Sequence, residues 1–165
     1  EGVTAITYRT QRTTDDTGAV GAKVGNYLVA VMATKQAKPV GANEALIVDG
    51  AGRILEGATS NAFFVKNGRL ITAGDDAGIL QGITRAVVLE AAAKEGIEVV
   101  FACPTVSEAM DADEIFVTSS IRQMLAITEL DGRPIGAHTP GPVYRRLLKR
   151  FHAVVKDWMN RDARA

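Results

Sequence analysis

The dipeptide Asn67-Gly68 restricts the fold of this chain more than any other short feature of its sequence. It separates two short segments, residues 62–66 and 70–72, that are rich in apolar and β-branched side chains. A two-residue hairpin turn needs positive φ angles at both central positions, and Asn and Gly tolerate these angles better than other residues. The sequence therefore predicts an antiparallel hairpin here, and with it a β-sheet.

Further strands and helices are interspersed along the chain without strict β-α-β alternation. Apolar and β-branched runs predict strands over residues 3–9, 44–49, 53–56, 97–102, 114–118 and 124–130. Helical periodicity and end signals predict helices over residues 27–38, 83–95, 105–110 and 141–160. With 165 residues, of which 47% are hydrophobic, the chain is expected to form a single mixed α/β (α+β) domain over residues 1–165.

Two details of the predicted helices are specific enough to be tested by a structure. Thr105 and Glu108 have the spacing of a capping box, in which each residue caps the other at the beginning of a helix. In the last helix the helical period predicts a buried stripe formed by Val143, Leu147, Phe151, Val155 and Trp158.

Charge balance and residue counts argue against several kinds of partner. With 19 basic and 19 acidic residues, the net charge of zero gives no electrostatic reason to expect nucleic acid or a membrane surface. No apolar run approaches the ~20 residues that span a bilayer. The two histidines, His138 and His152, have no partner at metal-ligand spacing, so no metal site is expected.

The single cysteine and the start of the chain lead to two further expectations. Cys103 has no second cysteine with which to form an internal disulfide, and no signal peptide is visible, so we expect a cytoplasmic protein. The chain opens on Glu1-Gly2, without methionine, directly before a predicted strand. We therefore expect a fragment, a processed chain or a trimmed one.

Lys23 is the first of four places where the residue types suit a small-molecule site. It lies between Gly21-Ala22 and Val24-Gly25, close to the beginning of a predicted helix. Apolar surroundings destabilise a lysine ammonium and favour the neutral amine, which is the nucleophile that forms a Schiff base. The alternative is a solvated surface lysine, the commoner state of this residue.

Glu56 and the segment Gln81-Gly82-Ile83-Thr84-Arg85 are the next two places. Small residues follow Glu56, so a ligand can approach its carboxylate, which is suited to keeping a pyridine nitrogen protonated. In the second segment a glycine precedes a helix, whose free N–H groups favour a phosphate, with the Thr84 hydroxyl as a further donor. The alternatives are a turn carboxylate and an ordinary helix cap.

The fourth place is Thr118-Ser119-Ser120, at the end of a predicted strand. Its hydroxyl and amide groups suit a second phosphate contact, and a polar turn is the alternative.

The order of these places resembles the class IV (fold type IV) aminotransferases. This family of pyridoxal-phosphate enzymes includes branched-chain aminotransferases, D-amino acid aminotransferases and aminodeoxychorismate lyases. The matching blocks are AKVGNYL (22–28), LEGATSNAFFVKNGRLIT (55–72), ILQGITR (79–85) and DEIFVTSS (113–120). They cover nearly the whole chain in the order of the family. The resemblance implies the large C-terminal, cofactor-binding domain of that fold.

The resemblance also implies a role for each matched residue. Lys23 would bind pyridoxal 5′-phosphate covalently and act as the acid and base in the proton shift. Glu56 would pair with the pyridine nitrogen, and Leu80 would pack against the ring. Tyr27 would reach the phenolic oxygen of the cofactor, and the amide of Ile121 would lie near the substrate carboxylate. Contacts to the phosphate are implied for Gly82, Ile83, Thr84, Ser119 and Ser120.

The sequence departs from the family in three respects. Ile121, Arg122 and Gln123 follow Ser120, where many aminotransferases have small residues and a glutamate. We expect a solvated Arg122, with contact to an acidic substrate as the alternative. The spacing from Lys23 to Tyr27 is closer to the D-amino acid type than to the branched-chain type. The smaller N-terminal domain of the family, which supplies a phosphate-binding arginine and much of the substrate pocket, has no counterpart in the sequence.

Transamination between an amino acid and a 2-oxo acid is therefore the leading functional expectation. Elimination of the aminodeoxychorismate lyase type, with the same lysine and cofactor, is the first alternative. The second is a domain that by itself binds the cofactor weakly or not at all and has no activity. The resemblance also implies a homodimer and contact with an N-terminal domain of the same enzyme.

Overall fold

The computed structural model describes residues 1–10 and 27–162, which form a mixed sheet with helices packed on both faces. The strands are β1 (Val3–Arg9), β2 (Glu44–Val48), β3 (Ile54–Gly57), β4 (Asn61–Lys66), β5 (Arg69–Thr72), β6 (Val99–Phe101), β7 (Glu114–Ser119), β8 (Gln123–Leu130) and β9 (Arg133–Pro134). The α-helices are α1 (Tyr27–Ala37), α2 (Ile83–Lys94), α3 (Val106–Met110) and α4 (Pro142–Asp162). Two short 3-10 turns cover Lys38–Val40 and Asp75–Ala77.

The sheet combines parallel and antiparallel neighbours. Its strand order is β3-β2-β1-β8-β7-β4-β5-β6, with β9 paired to β8. The pairs β1–β2, β1–β8 and β5–β6 are parallel, and the other pairs are antiparallel. The sheet confirms the mixed α/β class that the sequence predicts.

Alternation along the strands divides the apolar core between the two faces of the sheet. In β4, Phe63 and Val65 pack with α2 and α4, whereas Ala62 and Phe64 belong to the cluster that includes Ala109 of α3. In β2, Ala45 and Ile47 pack under α1, while Leu46 and Val48 join the α3 cluster. Because successive side chains of a strand point to opposite faces, α1, α2 and α4 cover one face and α3 covers the other.

The Asn67-Gly68 hairpin forms as predicted. It joins β4 to β5 in an antiparallel pair, and the φ angles of Asn67 and Gly68 are 51° and 74°. The capping box at α3 is also confirmed. Thr105 accepts a hydrogen bond from the amide of Glu108, and the Glu108 carboxylate accepts one from the amide of Thr105.

The predicted stripe of α4 is correct at its centre and wrong at its end. Leu147 and Phe151 are buried, but the other fully buried positions are Tyr144 and Val154, and Trp158 is 37% exposed. Two contacts near the beginning of the helix set its rotation: the Tyr144 hydroxyl donates to the Met124 carbonyl, and the Glu114 carboxylate accepts from the Tyr144 amide. Helical periodicity does not contain this information, because both partners lie on strands.

Smaller differences concern the ends of the elements. The strand predicted over residues 97–102 is shorter, Val99–Phe101, and the two-residue strand β9 has no counterpart among the predicted strands. No helix within the described ranges is long and apolar enough to cross a membrane. Nor do residues 1–10 and 27–162 contain a group of three or more side chains arranged to hold a metal ion.

Candidate functional site

Glu56 is a buried carboxylate on the face of the sheet that α1 covers. It lies near the end of β3, is 8% exposed, and stands opposite Ile47 of β2. Directly opposed residues of an antiparallel pair share a face, and Ile47 packs with Ala33 and Ala37 of α1. The carboxylate therefore points to the side of the sheet on which α1 begins.

The segment before α2 lies against Glu56 and is fastened by Asn61. The amide of Leu80 donates to Glu56 Oε2 over 3.4 Å, a long hydrogen bond. The carbonyl of Leu80 accepts from Asn61 Nδ2 at 2.8 Å and from the amide of Gly82 at 3.0 Å. Leu80 keeps 39% of its surface exposed. Leu80 thus connects the Glu56 carboxylate to Gly82, the residue directly before α2.

The N-terminus of α2 has the properties of an anion site. Gly82 is the residue before the helix, with φ −68° and ψ 137°, and no side chain caps the helix. The first intrahelical hydrogen bond is donated by the amide of Ala86 to the carbonyl of Gly82. The preceding amides of the helix, which include those of Ile83 and Thr84, have no acceptor inside the helix. Thr84 is 8% exposed, whereas Ile83 is 74% exposed.

Glycine at position 82 follows from the proximity of Asn61. A Cβ atom on this residue would lie 2.3 Å from Asn61 Oδ1, far inside van der Waals contact. The side chain that fastens Leu80 therefore leaves no room for a larger residue at the helix N-terminus.

The turn between β7 and β8 carries Ser119, Ser120 and Ile121. Ser119 pairs with Gln123 across the turn, and Gln123 has a positive φ angle of 54°. Ser119 is half-buried, Ser120 is exposed, and Ile121 is 94% exposed. The amide of Arg122 donates to the Ser119 hydroxyl at 3.2 Å, which stabilises the turn.

Strand pairing brings this turn to the same end of the sheet as the N-terminus of α2. Asn61, the first residue of β4, stands opposite Thr118 of β7, so Ser119 and Ser120 follow directly beyond it. Asn61 shares its face with Phe63, which packs against α2. The structure therefore groups Glu56, Leu80, Gly82 and Thr84 with the turn of Ser119 and Ser120, and Asn61 lies between them.

Thr118 contributes a buried hydroxyl without a partner. The residue is 2% exposed, and its Oγ1 atom makes no hydrogen bond. A buried hydroxyl without a partner costs free energy, and such groups are uncommon in folded proteins. The atom lies on the face of Asn61, at the end of β7 from which the Ser119–Gln123 turn begins.

Arg122 is exposed, as the sequence leads us to expect, but its guanidinium also has a partner in the protein. It is paired with Glu44, whose side chain is 2% exposed. Arg122 Nη2 donates to Glu44 Oε2, and Nη1 donates to the carbonyl of Asn43 at 3.1 Å. A single sequence does not reveal this ion pair, because 78 residues separate its partners.

Arg85 holds the loop before α2 in place. It is 4% exposed and donates to Gln81 Oε1 at 2.6 Å and to the carbonyl of Ala73 at 2.8 Å. Burial lowers the pKa of its guanidinium, while Asp75 opposes that shift from 3.7 Å. The segment from Ala73 to Gly82 is thus attached at its beginning by Arg85 and near its end by Asn61.

Two predicted site residues are not placed by the structure. Lys23 lies outside the described residues. Tyr27 is the first residue of α1, and only its backbone is described. The predicted roles of both side chains remain predictions. The sequence does not predict the role of Asn61, for which the local signal is a polar residue at the beginning of an apolar strand.

Comparisons with known proteins give a consistent result. The family model described as amino-transferase class IV matches residues 1–130. A putative branched-chain-amino-acid aminotransferase of Methanocaldococcus jannaschii is 37% identical over 158 residues, which are 96% of this chain and 55% of that protein.

Solved structures agree with the sequence matches. The crystal structure of the Escherichia coli branched-chain amino acid aminotransferase has a TM-score of 0.86 and 31% identity, covering 92% of this chain and 51% of that one. The T.th. branched-chain amino acid aminotransferase complexed with N-(5′-phosphopyridoxyl)-L-glutamate has a TM-score of 0.83 and 34% identity, covering 93% and 52%. The chain thus spans about half the length of the proteins it matches.

Proposed function

This chain belongs to the class IV aminotransferase family, and we propose that it is the pyridoxal-phosphate-binding domain of a transaminase. The proposed reaction moves an amino group between an amino acid and a 2-oxo acid. One observation carries the proposal: the segment of Leu80 lies against the buried Glu56 carboxylate and runs directly into the free N-terminus of α2. A carboxylate and an anion site so close together suit a ligand with a ring nitrogen and a phosphate.

The phosphate end of the cofactor fits the donors at the end of the sheet. The first amides of α2 and the Thr84 hydroxyl on one side, and the Ser119–Ser120 turn on the other, are neutral donors suited to a dianion. The Thr118 hydroxyl, which is buried and has no hydrogen-bond partner, lies on the strand position opposite Asn61, directly before that turn. We propose that Gly82, Ile83, Thr84, Ser119 and Ser120 bind the phosphate.

The ring end of the cofactor fits Glu56 and Leu80. A buried carboxylate stabilises a proton on a facing pyridine nitrogen, because Coulomb attraction is less screened away from water. Leu80, partly exposed beside this carboxylate, offers an apolar surface for one face of the ring. We propose that Glu56 keeps the ring nitrogen protonated and that Leu80 excludes water from the ring.

Lys23 completes the proposed chemistry. When bound, pyridoxal phosphate supplies an electron sink that stabilises negative charge at the Cα atom of the amino acid. In this proposal the Lys23 amine anchors the cofactor and moves the proton between the substrate Cα and the cofactor carbon that accepts it. The Ile121 amide orients the substrate carboxylate, and Tyr27 approaches the phenolic oxygen of the ring.

The proposal extends to the partners of the complete enzyme. The named relatives are branched-chain amino acid aminotransferases, so we propose amino acids and 2-oxo acids of that class as substrates. Because the chain spans about half of those proteins, we propose that a second domain shapes the substrate pocket. We also propose a homodimer and a cytoplasmic location, the latter because Cys103 is a free thiol.

Spectroscopy combined with product analysis tests the proposed function. The protein is titrated with pyridoxal phosphate, reduced with borohydride and digested, and the modified lysine is located by mass spectrometry. A chimera of this chain with the first half of a relative is then incubated with leucine and 2-oxoglutarate and, in a separate reaction, with aminodeoxychorismate. We expect modification at Lys23 and formation of glutamate. Modification elsewhere contradicts the site, and pyruvate release from aminodeoxychorismate without glutamate formation identifies a lyase instead.

A further inference from the structure

The ion pair of Arg122 with Glu44 connects the two turns that border the proposed cofactor site. Arg122 lies in the turn between β7 and β8, immediately after Ile121. Its guanidinium donates to the Glu44 carboxylate and, at 3.1 Å, to the carbonyl of Asn43. Two donors on one planar group hold the Arg122 side chain in a defined orientation against the beginning of β2.

Glu44 is attached in turn to the loop that follows Glu56. Its Oε2 atom also accepts from the Ser60 hydroxyl at 3.0 Å, and its Oε1 atom accepts from the amide of Ala45 at 3.0 Å. Ser60 closes the turn between β3 and β4 by accepting a hydrogen bond from the amide of Gly57 at 2.7 Å. The same carboxylate therefore holds Arg122 on one side and the 57–60 turn on the other.

The pair lies behind the proposed site and not inside it. Glu44 precedes Leu46 by two residues, so both side chains point to the face of the sheet that α3 covers. Glu56 points to the opposite face. Contact between Arg122 and a substrate is therefore not required to explain why an arginine stands at this position.

We propose that Arg122 is a positioning residue, which acts through Glu44 to set the distance between the Ser119–Ile121 turn and the turn that follows Glu56. In the proposed function, which this inference presupposes, the first of these turns binds the phosphate of the cofactor, and the second directly follows Glu56, which faces the ring nitrogen. A short, rigid ligand requires both ends of its site to be held at the right separation before binding. The Arg122–Glu44 pair supplies that separation from behind the binding surface.

Three variants distinguish positioning from a purely structural role. Arg122→Ala removes the ion pair and leaves the buried Glu44 carboxylate without its cation, so the Ser119–Ile121 turn loses its position and the protein loses stability. Arg122→Ala combined with Glu44→Gln also removes the buried charge, so stability recovers while the ion pair remains absent. Arg133→Ala, on the exposed strand β9, is the matched control.

The experiment combines amide relaxation by NMR with titration of pyridoxal phosphate. We expect the order parameter of the Ile121 amide to be in the rigid range in the parent protein and to fall in Arg122→Ala and in the double variant. The dissociation constant of the cofactor should rise about tenfold in both, with no change in Arg133→Ala. Urea midpoints should fall in Arg122→Ala and recover in the double variant.

An unchanged order parameter of the Ile121 amide in Arg122→Ala overturns the positioning role. If the double variant recovers both this order parameter and the cofactor affinity, the Arg122–Glu44 pair contributes only to stability. If the parent protein binds no pyridoxal phosphate, the proposed function fails. The order parameters then decide the positioning role alone, because they do not depend on the cofactor.

Discussion

Lys23 and Glu56 differ in what the structure says about them. Glu56 is a buried carboxylate in contact with the segment that leads into α2, whereas Lys23 lies outside the described residues. The assignment of Lys23 therefore depends on the AKVGNYL block and on family membership.

Replacing Lys23 by alanine is expected to abolish the yellow absorption of the protein–cofactor complex. That absorption depends on a covalent bond to a lysine amine, which alanine cannot form. The measurement is the visible spectrum after dialysis, before and after borohydride treatment, with Lys35→Ala as the control. A Lys23→Ala protein that stays yellow and is fixed by borohydride would place the covalent bond on another lysine.

Replacing Glu56 by glutamine is expected to slow transamination far more than it weakens cofactor binding. A neutral amide no longer stabilises the proton on the ring nitrogen, so the rate should fall on the order of a hundredfold. The cofactor dissociation constant should change much less, because the phosphate contacts remain. Single-turnover rates and absorbance titrations measure the two quantities, with Glu98→Gln on the surface as the control. An unchanged rate removes Glu56 from the ring-nitrogen role.

At the scale of elements, strands and helices fasten one another through single side chains. The Glu114 carboxylate of β7 accepts from the amides of Val143 and Tyr144 at 2.8 and 2.7 Å, and so caps α4 from a distant strand. Close packing accompanies the cap, because a Cβ atom at Gly141 would lie 2.1 Å from Glu114 Cδ. The proximity of Glu114 on β7 therefore explains why residue 141, directly before α4, is a glycine.

Replacing Glu114 by glutamine should destabilise the protein by about 1–3 kcal/mol. Glutamine keeps one acceptor but turns an amide donor towards the free N–H groups of α4, and the site is only 6% exposed. Urea denaturation measures the free energy of unfolding. The matched control is Glu98→Gln, whose side chain is 65% exposed and which should change the stability by less than about 0.5 kcal/mol. Equal effects of the two variants would contradict the capping role.

The capping box of α3 predicts a dependence of stability on pH. The amide and hydroxyl of Thr105 donate to the Glu108 carboxylate, which lowers the pKa of Glu108 below its ordinary value of 4.5. A carboxyl whose pKa is lower in the folded state contributes stability above its unfolded pKa. This contribution is lost as the pH falls through the folded pKa.

NMR titration of the Glu108 carboxyl carbon measures that shift. We expect a lower midpoint in the folded protein than in the urea-unfolded chain. Thr105→Ala should raise the folded midpoint only in part, because the backbone amide of residue 105 remains as a donor. Identical midpoints in the folded and unfolded states would show that the box does not form in solution.

At the scale of the whole molecule, the sheet is the scaffold that brings separate segments together. The pairing of β4 with β7 places the turn between β7 and β8 beside Asn61, the first residue of β4. Helices α1 and α2 lie on the same face of the sheet, to which the Glu56 carboxylate also points. The relatives are longer than this chain, which spans about half of their length.

The chain by itself is expected to turn over substrate slowly or not at all. Much of the substrate pocket is attributed to a second domain, so substrate is poorly oriented without it, and orientation supplies a large part of enzymatic rate enhancement. The rate with leucine and 2-oxoglutarate should be at least about a hundredfold lower than that of a chimera carrying the first half of a relative. Rates within a few-fold of each other would show that the second domain is dispensable.

Features that depend on near neighbours along the chain could be predicted from the residues alone. The Asn67-Gly68 turn, the Thr105–Glu108 box and most element bounds belong to this group, because turn angles and helix caps involve residues at most a few positions apart. The order of the four blocks likewise led to the right family.

Contacts between distant residues became visible only in the folded molecule. Asn61 bonds Leu80 across 19 residues, Glu114 caps α4 across 29, and Arg122 pairs with Glu44 across 78. Such contacts depend on strand order and on the rotation of helices over the sheet, and neither is contained in local periodicity. The same reason explains why Tyr144 and Val154, and not Trp158, complete the buried stripe of α4.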